Sequence, residues 1–133
     1  MKPKQLLLKI PHAHGRYLPA LLRGLPLEDC RFEVAPGETE AYQSADMSPL
    51  FPDSHMSGAR FRQRIEAESY LIFLHLRCFP AQSDTGEPLF ELLLFDCSYI
   101  ELYSPHDEFL VLFRENAARL NFALSDIDEK ETR

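Results

Sequence analysis

Residues 70–79 read YLIFLHLRCF, and how this stretch is read decides the fold. In an extended chain successive side chains point to opposite faces. Leu71, Phe73 and Phe79 then share one face with His75 and Arg77, while Ile72, Leu74, Leu76 and Cys78 take the other. Both faces are apolar, which is the pattern of a central strand covered above and below. Pro80 stops the strand, and residues 81–88 (AQSDTGEP) form a polar loop.

Downstream, residues 89–95 (LFELLLF) and 99–103 (YIELY) read as two more strands. Only Asp96, Cys97 and Ser98 separate them, so they predict an antiparallel hairpin with a tight, slightly irregular turn. Ser104 then caps a helix with Pro105 at its first position, and Asp107 and Glu108 face the positive end of the dipole. Phe109, Leu112, Phe113, Ala117 and Leu120 form its buried stripe, and Asn121 closes it in the left-handed conformation. Residues 122–127 are a final strand, and 128–133 (DEKETR) a frayed charged tail.

Upstream, Ser57 caps a helix over residues 58–68 that turns Phe61 and Ile65 to one side. Residues 44–57 (SADMSPLFPDSHMS) are irregular, yet Met47, Leu50, Phe51 and Met56 make them too apolar for a linker. Cys30, Phe32 and Val34 alternate with Arg31 and Glu33 as a half-buried strand. Ala35, Pro36 and Gly37 turn the chain, and a short strand over 39–43 is expected to return from that turn. Residues 5–10 (QLLLKI) are a first strand, followed by a helix with Leu18, Leu21, Leu22 and Leu25 on one face. Pro19 is tolerated only in an opening turn, so this helix begins near Arg16 or Tyr17, and Gly24 and Pro26 end it.

The order β-α-β-β-α-β-β-β-α-β predicts a single α+β domain over residues 1–133. A mostly antiparallel sheet of about six or seven strands carries three helices. Helices on one face leave Leu71, Phe73, Leu93 and Phe95, or their opposite numbers, needing cover. Either residues 44–57 fold over them or a second subunit does.

Length and composition agree with one core. The chain has 133 residues, 45% of them hydrophobic, and 15 are Phe or Tyr. Its net charge is −7, and the nearest thing to a basic patch, Arg60, Arg62 and Arg64, runs straight into Glu66 and Glu68. Nucleic acid and anionic membranes repel such a chain. The three cysteines, Cys30, Cys78 and Cys97, share no CxxC spacing and sit in apolar segments, the pattern of buried thiols in a reducing compartment. Lys9 interrupts the leucines at 6–8 too early for a signal peptide, and no apolar stretch approaches the ~20 residues of a membrane span. A cytoplasmic protein is expected.

The chain resembles a small family of uncharacterised proteins from Gram-positive, spore-forming bacteria, grouped as a domain of unknown function. The likeness covers most of the chain. It rests on Ile10-Pro11 before a Gly15-Arg16-Tyr17-Leu18 helix start, on Leu50-Phe51-Pro52, on the strand from Tyr70, on Phe95-Asp96-Cys97-Ser98-Tyr99 and on the acid-capped last helix. The resemblance implies no activity, cofactor or site residue. Nor does the family pattern require histidines after the first strand.

The candidate chemistry is sparse. His12 and His14, at i and i+2, can share a metal ion, with His55 beside Asp53 or His106 beside Asp107 as a distant third ligand. They sit in a strand-to-helix loop, where polar residues are ordinarily solvated. His75 in the central strand can act as a general base if Glu91 or Asp96 tunes it; otherwise it is a satisfied structural histidine. Ser98 lacks a GxSxG elbow, and Cys97 lacks a neighbouring histidine, so the short polar residues at 96–98 read as turn formers. GxGxxG, GxxxxGK[ST] and HExxH motifs are absent. No catalytic, cofactor or metal residue is assigned on this basis. The expected role is a non-enzymatic acidic module that self-associates or binds a protein partner, in one form an immunity- or antitoxin-like role. The alternative is a small enzyme or ligand-binding domain whose pocket lies under residues 44–57 and uses His75, Arg77 or His55.

Overall fold

The computed structural model describes residues 4–10, 17–82 and 86–125. In chain order they form β1 (Lys4–Lys9), α1 (Tyr17–Leu21), β2 (Cys30–Val34), β3 (Glu40–Gln43), β4 (His55–Ser57), α2 (Gly58–Ile65), β5 (Ser69–Pro80), β6 (Phe90–Phe95), β7 (Tyr99–Ser104), α3 (Asp107–Arg119) and β8 (Ala123–Ser125). Two 3₁₀ turns, Leu27–Asp29 and Pro36–Glu38, flank β2. The fold is α+β: an eight-stranded sheet in the order β4-β2-β5-β6-β7-β1-β8, with β3 attached to β5. Every pairing is antiparallel.

The strand expected to return from the turn at 35–37 does not return. Val34 lies opposite Leu76 and Glu40 opposite Phe73, so β2 and β3 run the same way along one edge of β5. The Pro36–Glu38 turn is a bulge inside one long interrupted strand rather than a hairpin. The twelve-residue β5 is long enough to template both pieces. Pro36 has no N–H to give to the ladder, so the chain leaves the edge there. Backbone bonding resumes with Ala35 N–H to the His75 carbonyl before the bulge, while Thr39 Oγ1 accepts from His75 N–H after it.

One sheet face carries the core. Leu6 and Leu8, Cys30, Phe32 and Val34, Leu74, Leu76 and Cys78, Phe90, Leu92 and Leu94, and Ile100 and Leu102 all point to it and are buried. Phenylalanines run through this layer: Phe51 stacks on Phe61, Phe61 on Phe32 at 4.0 Å, and Phe90 meets Phe32 and Phe113 edge-on. α2 packs on β2, α3 on β7, β1 and β8, and α1 on both other helices. Asn116 of α3 is buried and its Nδ2 donates to the Leu21 and Arg23 carbonyls, closing the end of α1.

The helix boundaries differ from those expected in instructive ways. Ser104 is still paired in β7, and its hydroxyl donates to the Leu89 carbonyl, so His106 takes the N-cap position and Pro105 stays outside α3. α1 ends at Leu21, although Leu22 and Leu25 remain buried on the expected face, and Gly24 turns the chain at φ +90°. α2 ends at Ile65, three residues early. Its cap is as expected, with Ser57 Oγ accepting from Arg60 N–H. Asn121 adopts φ +60°, with Asn121 N–H bonded to the Ala118 carbonyl and Phe122 N–H to that of Ala117, a Schellman closure. The tail at 128–133 lies outside the described residues.

Residues 44–57 are not a lid on the second face. Leu50 is buried, its N–H bonds the Ala41 carbonyl, and Phe51 stacks on Phe61 of the helical layer. Arg64 of α2 pins the segment, donating to the Leu50 carbonyl at 2.7 Å and the Pro49 carbonyl at 3.2 Å. The segment ends in β4, a strand the sequence reading did not include.

Candidate functional site

Because the helices and residues 44–57 sit on one side, the other sheet face is without a covering helix among the described residues. Antiparallel register puts its side chains in rows across the strands. One row runs His55, Glu33, Arg77, Glu91, Tyr103, Gln5, from β4 to β1. The next holds His75, Leu93, Glu101 and Leu7. Beyond it, Phe95 pairs with Tyr99 and Tyr99 with Lys9, while Phe73 lies opposite Glu40.

The middle of this face is a hydrogen-bonded network. His75 Nε2 bonds Glu91 Oε2, which also accepts from Arg77 Nε at 3.2 Å. On the ring's other side, His75 Nδ1 lies 3.3 Å from Glu38 Oε1, without the alignment a hydrogen bond needs. Gln5 Nε2 donates to Tyr103 Oη at 2.7 Å, and Tyr103 donates onward to Glu101 at 2.6 Å. Towards β4, Arg31 pairs with Glu33 at 3.2 Å and His55 Nε2 approaches Glu33 at 3.6 Å. Arg31 also lies over the Phe79 ring, 4.4 Å from its centroid. The cover over β5 on this face is therefore local: His75 is only 8% exposed, yet no α-helix among the described residues lies on it.

The lower end of the face is apolar and open. Phe95 is 40% and Tyr99 42% exposed, with Leu93 and Phe73 half-buried beside them. Between this end and the Pro36–Glu38 turn is a cavity of about 320 Å³, lined by Glu38, Glu40, Phe73, His75, Leu93 and Phe95 among others. A second cavity of about 210 Å³ lies across the same turn, between His75, Arg77, Glu33 and His55. It meets residues 44–57 only through Ser54 and His55, so the main pocket is walled by the 36–39 bulge rather than roofed by that segment.

Of the residues singled out from sequence, His75, Arg77 and Glu91 come together, and His55 joins the same row through Glu33. Asp96 does not reach His75: it sits at the hairpin tip with φ +50°, next to Cys97 at φ +61°. There the Cys97 thiol donates to the Leu71 carbonyl, and Ser98 Oγ donates to the Asp96 carbonyl. Burial, then the Asp96 charge, pushes the Cys97 thiol up, the opposite of an activated nucleophile. Cys30 and Cys78 are free and buried on the core face. The hydrogen bond that the Cys78 thiol donates to Cys30, and then burial, raise Cys78, while accepting that bond lowers Cys30. His106 packs edge-on to Phe109 at the start of α3. His12 and His14 lie outside the described residues, and among the described residues no group of three His, Cys, Asp or Glu side chains is placed to hold a metal. No helix among them is long and apolar enough to cross a membrane.

Sequence reasoning missed Glu38 as the second carboxylate at His75, because the bulge that delivers it was read as a hairpin. It also missed the Gln5–Tyr103–Glu101 chain, although these residues all fall on the parity of His75 once the strands are registered. A family model described as "Protein of unknown function (DUF2691)" matches residues 4–133. No curated protein and no solved structure matches the chain.

Proposed function

The chain belongs to the DUF2691 family, whose function is unknown, and we propose that it is a non-enzymatic protein-binding module whose contact surface is the helix-free face of the sheet. The observation that carries this reading is the cluster of Phe73, Leu93, Phe95 and Tyr99 on a face that no helix covers among the described residues, bordered by a polar network. An open apolar patch bordered by hydrogen-bonded polar groups is the kind of surface that binds a partner. The occupant is a partner protein with basic groups: the chain carries −7, and Glu38 and Glu40 stand at the edge of the patch. One form of this role is immunity- or antitoxin-like, with the acidic face masking a basic partner. The reading takes the chain to work in the cytoplasm of the Gram-positive, spore-forming bacterium its resemblance implies, and its three free thiols support a reducing compartment.

The test combines sedimentation with capture by variants. The purified chain is expected to sediment as a monomer and, used as bait, to retain a basic protein that Phe95→Asp and Tyr99→Asp baits of unchanged melting temperature release. Binding that survives both substitutions, or a dimer that buries this face, overturns the assignment.

A second reading has its own observation. The His75–Glu91 hydrogen bond beside a cavity is the arrangement of an oriented general base. Against it, Glu38 stands where a substrate proton would approach Nδ1, and the cavity holds no Ser or Cys nucleophile among its lining residues. A turnover found for the chain and abolished by both His75→Asn and Glu91→Gln would favour the enzyme.

A further inference from the structure

We infer that the cavity between the Pro36–Glu38 turn and strands β5 and β6 is a subsite for a cation, an ammonium or guanidinium group on a side chain of the partner protein. The inference rests on the sheet-face reading and names what that face recognises. Three independent features of the lining converge on positive charge. Glu38 and Glu40 both line the cavity, and among the described residues neither has a Lys or Arg counter-ion. Phe73 and Phe95 line it too, and aromatic faces attract cations. His75 lies at the inner end, nine-tenths buried, with Nε2 held by Glu91 and Nδ1 left without an aligned hydrogen bond beside Glu38.

Each alternative occupant leaves a group unsatisfied. An anion meets two carboxylates. A purely apolar side chain takes water from the exposed Glu38 and Glu40 carboxylates and gives His75 Nδ1 no aligned donor, which is costly. A cation with several N–H donors satisfies all three: it pairs with the carboxylates, lies against the rings and offers an N–H to the imidazole nitrogen. At about 320 Å³ the cavity reaches the lower end of the size range of small-ligand sites, so it admits the head group and stem of one long basic side chain. The bulge is what builds this subsite. An uninterrupted β2–β3 strand would leave no turn to carry Glu38 over His75.

The experiment is an NMR titration of the intact chain, following the His75 imidazole and the Phe73 and Phe95 rings. The probes are n-butylguanidinium and n-butylammonium, with n-butanol and butyrate as neutral and anionic comparators. Saturable shifts at these residues are expected with the two cations alone. Their affinity should fall about fivefold or more in the Glu38→Gln/Glu40→Gln variant and weaken as salt rises. Both substituted glutamates are at the surface, so the variant is expected to fold, which its melting temperature checks. Equal response to n-butanol, or no saturable response to either cation, overturns the subsite. If the cations fail while partner capture still depends on Phe95, the subsite falls and the sheet-face reading stands. If they bind while no partner depends on the face, the reverse holds.

Discussion

Gly58 shows how a single residue fixes the approach of two elements. A Cβ built on it would lie 1.6 Å from the Leu27 carbonyl oxygen and 2.8 Å from that of Cys30, so α2 meets the Leu27–Asp29 turn backbone to backbone. Neither oxygen can yield without moving the turn. Gly58→Ala is therefore expected to destabilise the fold by about 3 kcal/mol or more in urea denaturation. Gly37 has nothing within 4 Å of the corresponding position, and Gly37→Ala should change stability little. Neither difference is readable from sequence, where both are glycines next to turns. Asn121 is the opposite case: its position after an amphipathic stripe announced the left-handed closure that the structure has.

Among the elements, the segment over 44–57 leans on one side chain of its neighbour. Arg64 donates to two of its carbonyls, beside the backbone bonds of Leu50 to Ala41 and of Gln43 to Ser48, the pairing of β4 with β2, and a tight turn in which Ser48 donates twice to Asp46. Those two bonds also hold the Asp46 carboxyl below its ordinary range. Replacing Arg64 with Ala leaves the Leu50 and Pro49 carbonyls without that donor while α2 keeps Phe61 and Ile65. Amide exchange at Leu50 and through 44–57 should rise by about tenfold to a hundredfold, corresponding to roughly 1.5–3 kcal/mol of local stability, with exchange in β5 and β6 unchanged. Uniform acceleration across the sheet would show instead that the segment is part of the global folding unit. From sequence Arg64 belonged to a basic run on a helix, and only the packing shows that Arg60 faces Asp53, Arg62 faces Glu28 and Glu66, and Arg64 the loop.

For the whole molecule, the groups buried by folding set its response to alkali. Tyr17 is buried against Phe122, and burial, then Cys97, holds its hydroxyl well above the ordinary value of 10.0. The folded chain keeps that proton when the unfolded chain has released it. The contribution of Tyr17 to stability is thus fully present below about pH 10 and falls above it by about 1.4 kcal/mol per pH unit. The Cys78 and Cys97 thiols are raised as well and add a loss that begins as the unfolded thiols ionise, and the downward shift of Cys30 opposes them. Tyr17→Phe should make the decline between pH 10 and 11 shallower in urea melts, by up to about 1.4 kcal/mol per pH unit. At pH 7 it should cost under about 1 kcal/mol, because the hydroxyl has no hydrogen-bond partner among the described residues. A decline of the same slope in the variant would assign the alkaline loss elsewhere. At this scale the chain's own periodicity determined that β5 is central, which strands are half-buried, where the three helices lie and which of their faces turn inward, since alternation and the 3.6-residue repeat are properties of neighbours in sequence. The tertiary structure alone decided that β2 and β3 run on together, that residues 44–57 join the helical side, and that Glu38, His75, Glu91 and Arg77 meet on the face that no helix covers among the described residues. Such meetings depend on register between strands tens of residues apart, and a one-residue slip there sends every side chain to the other face.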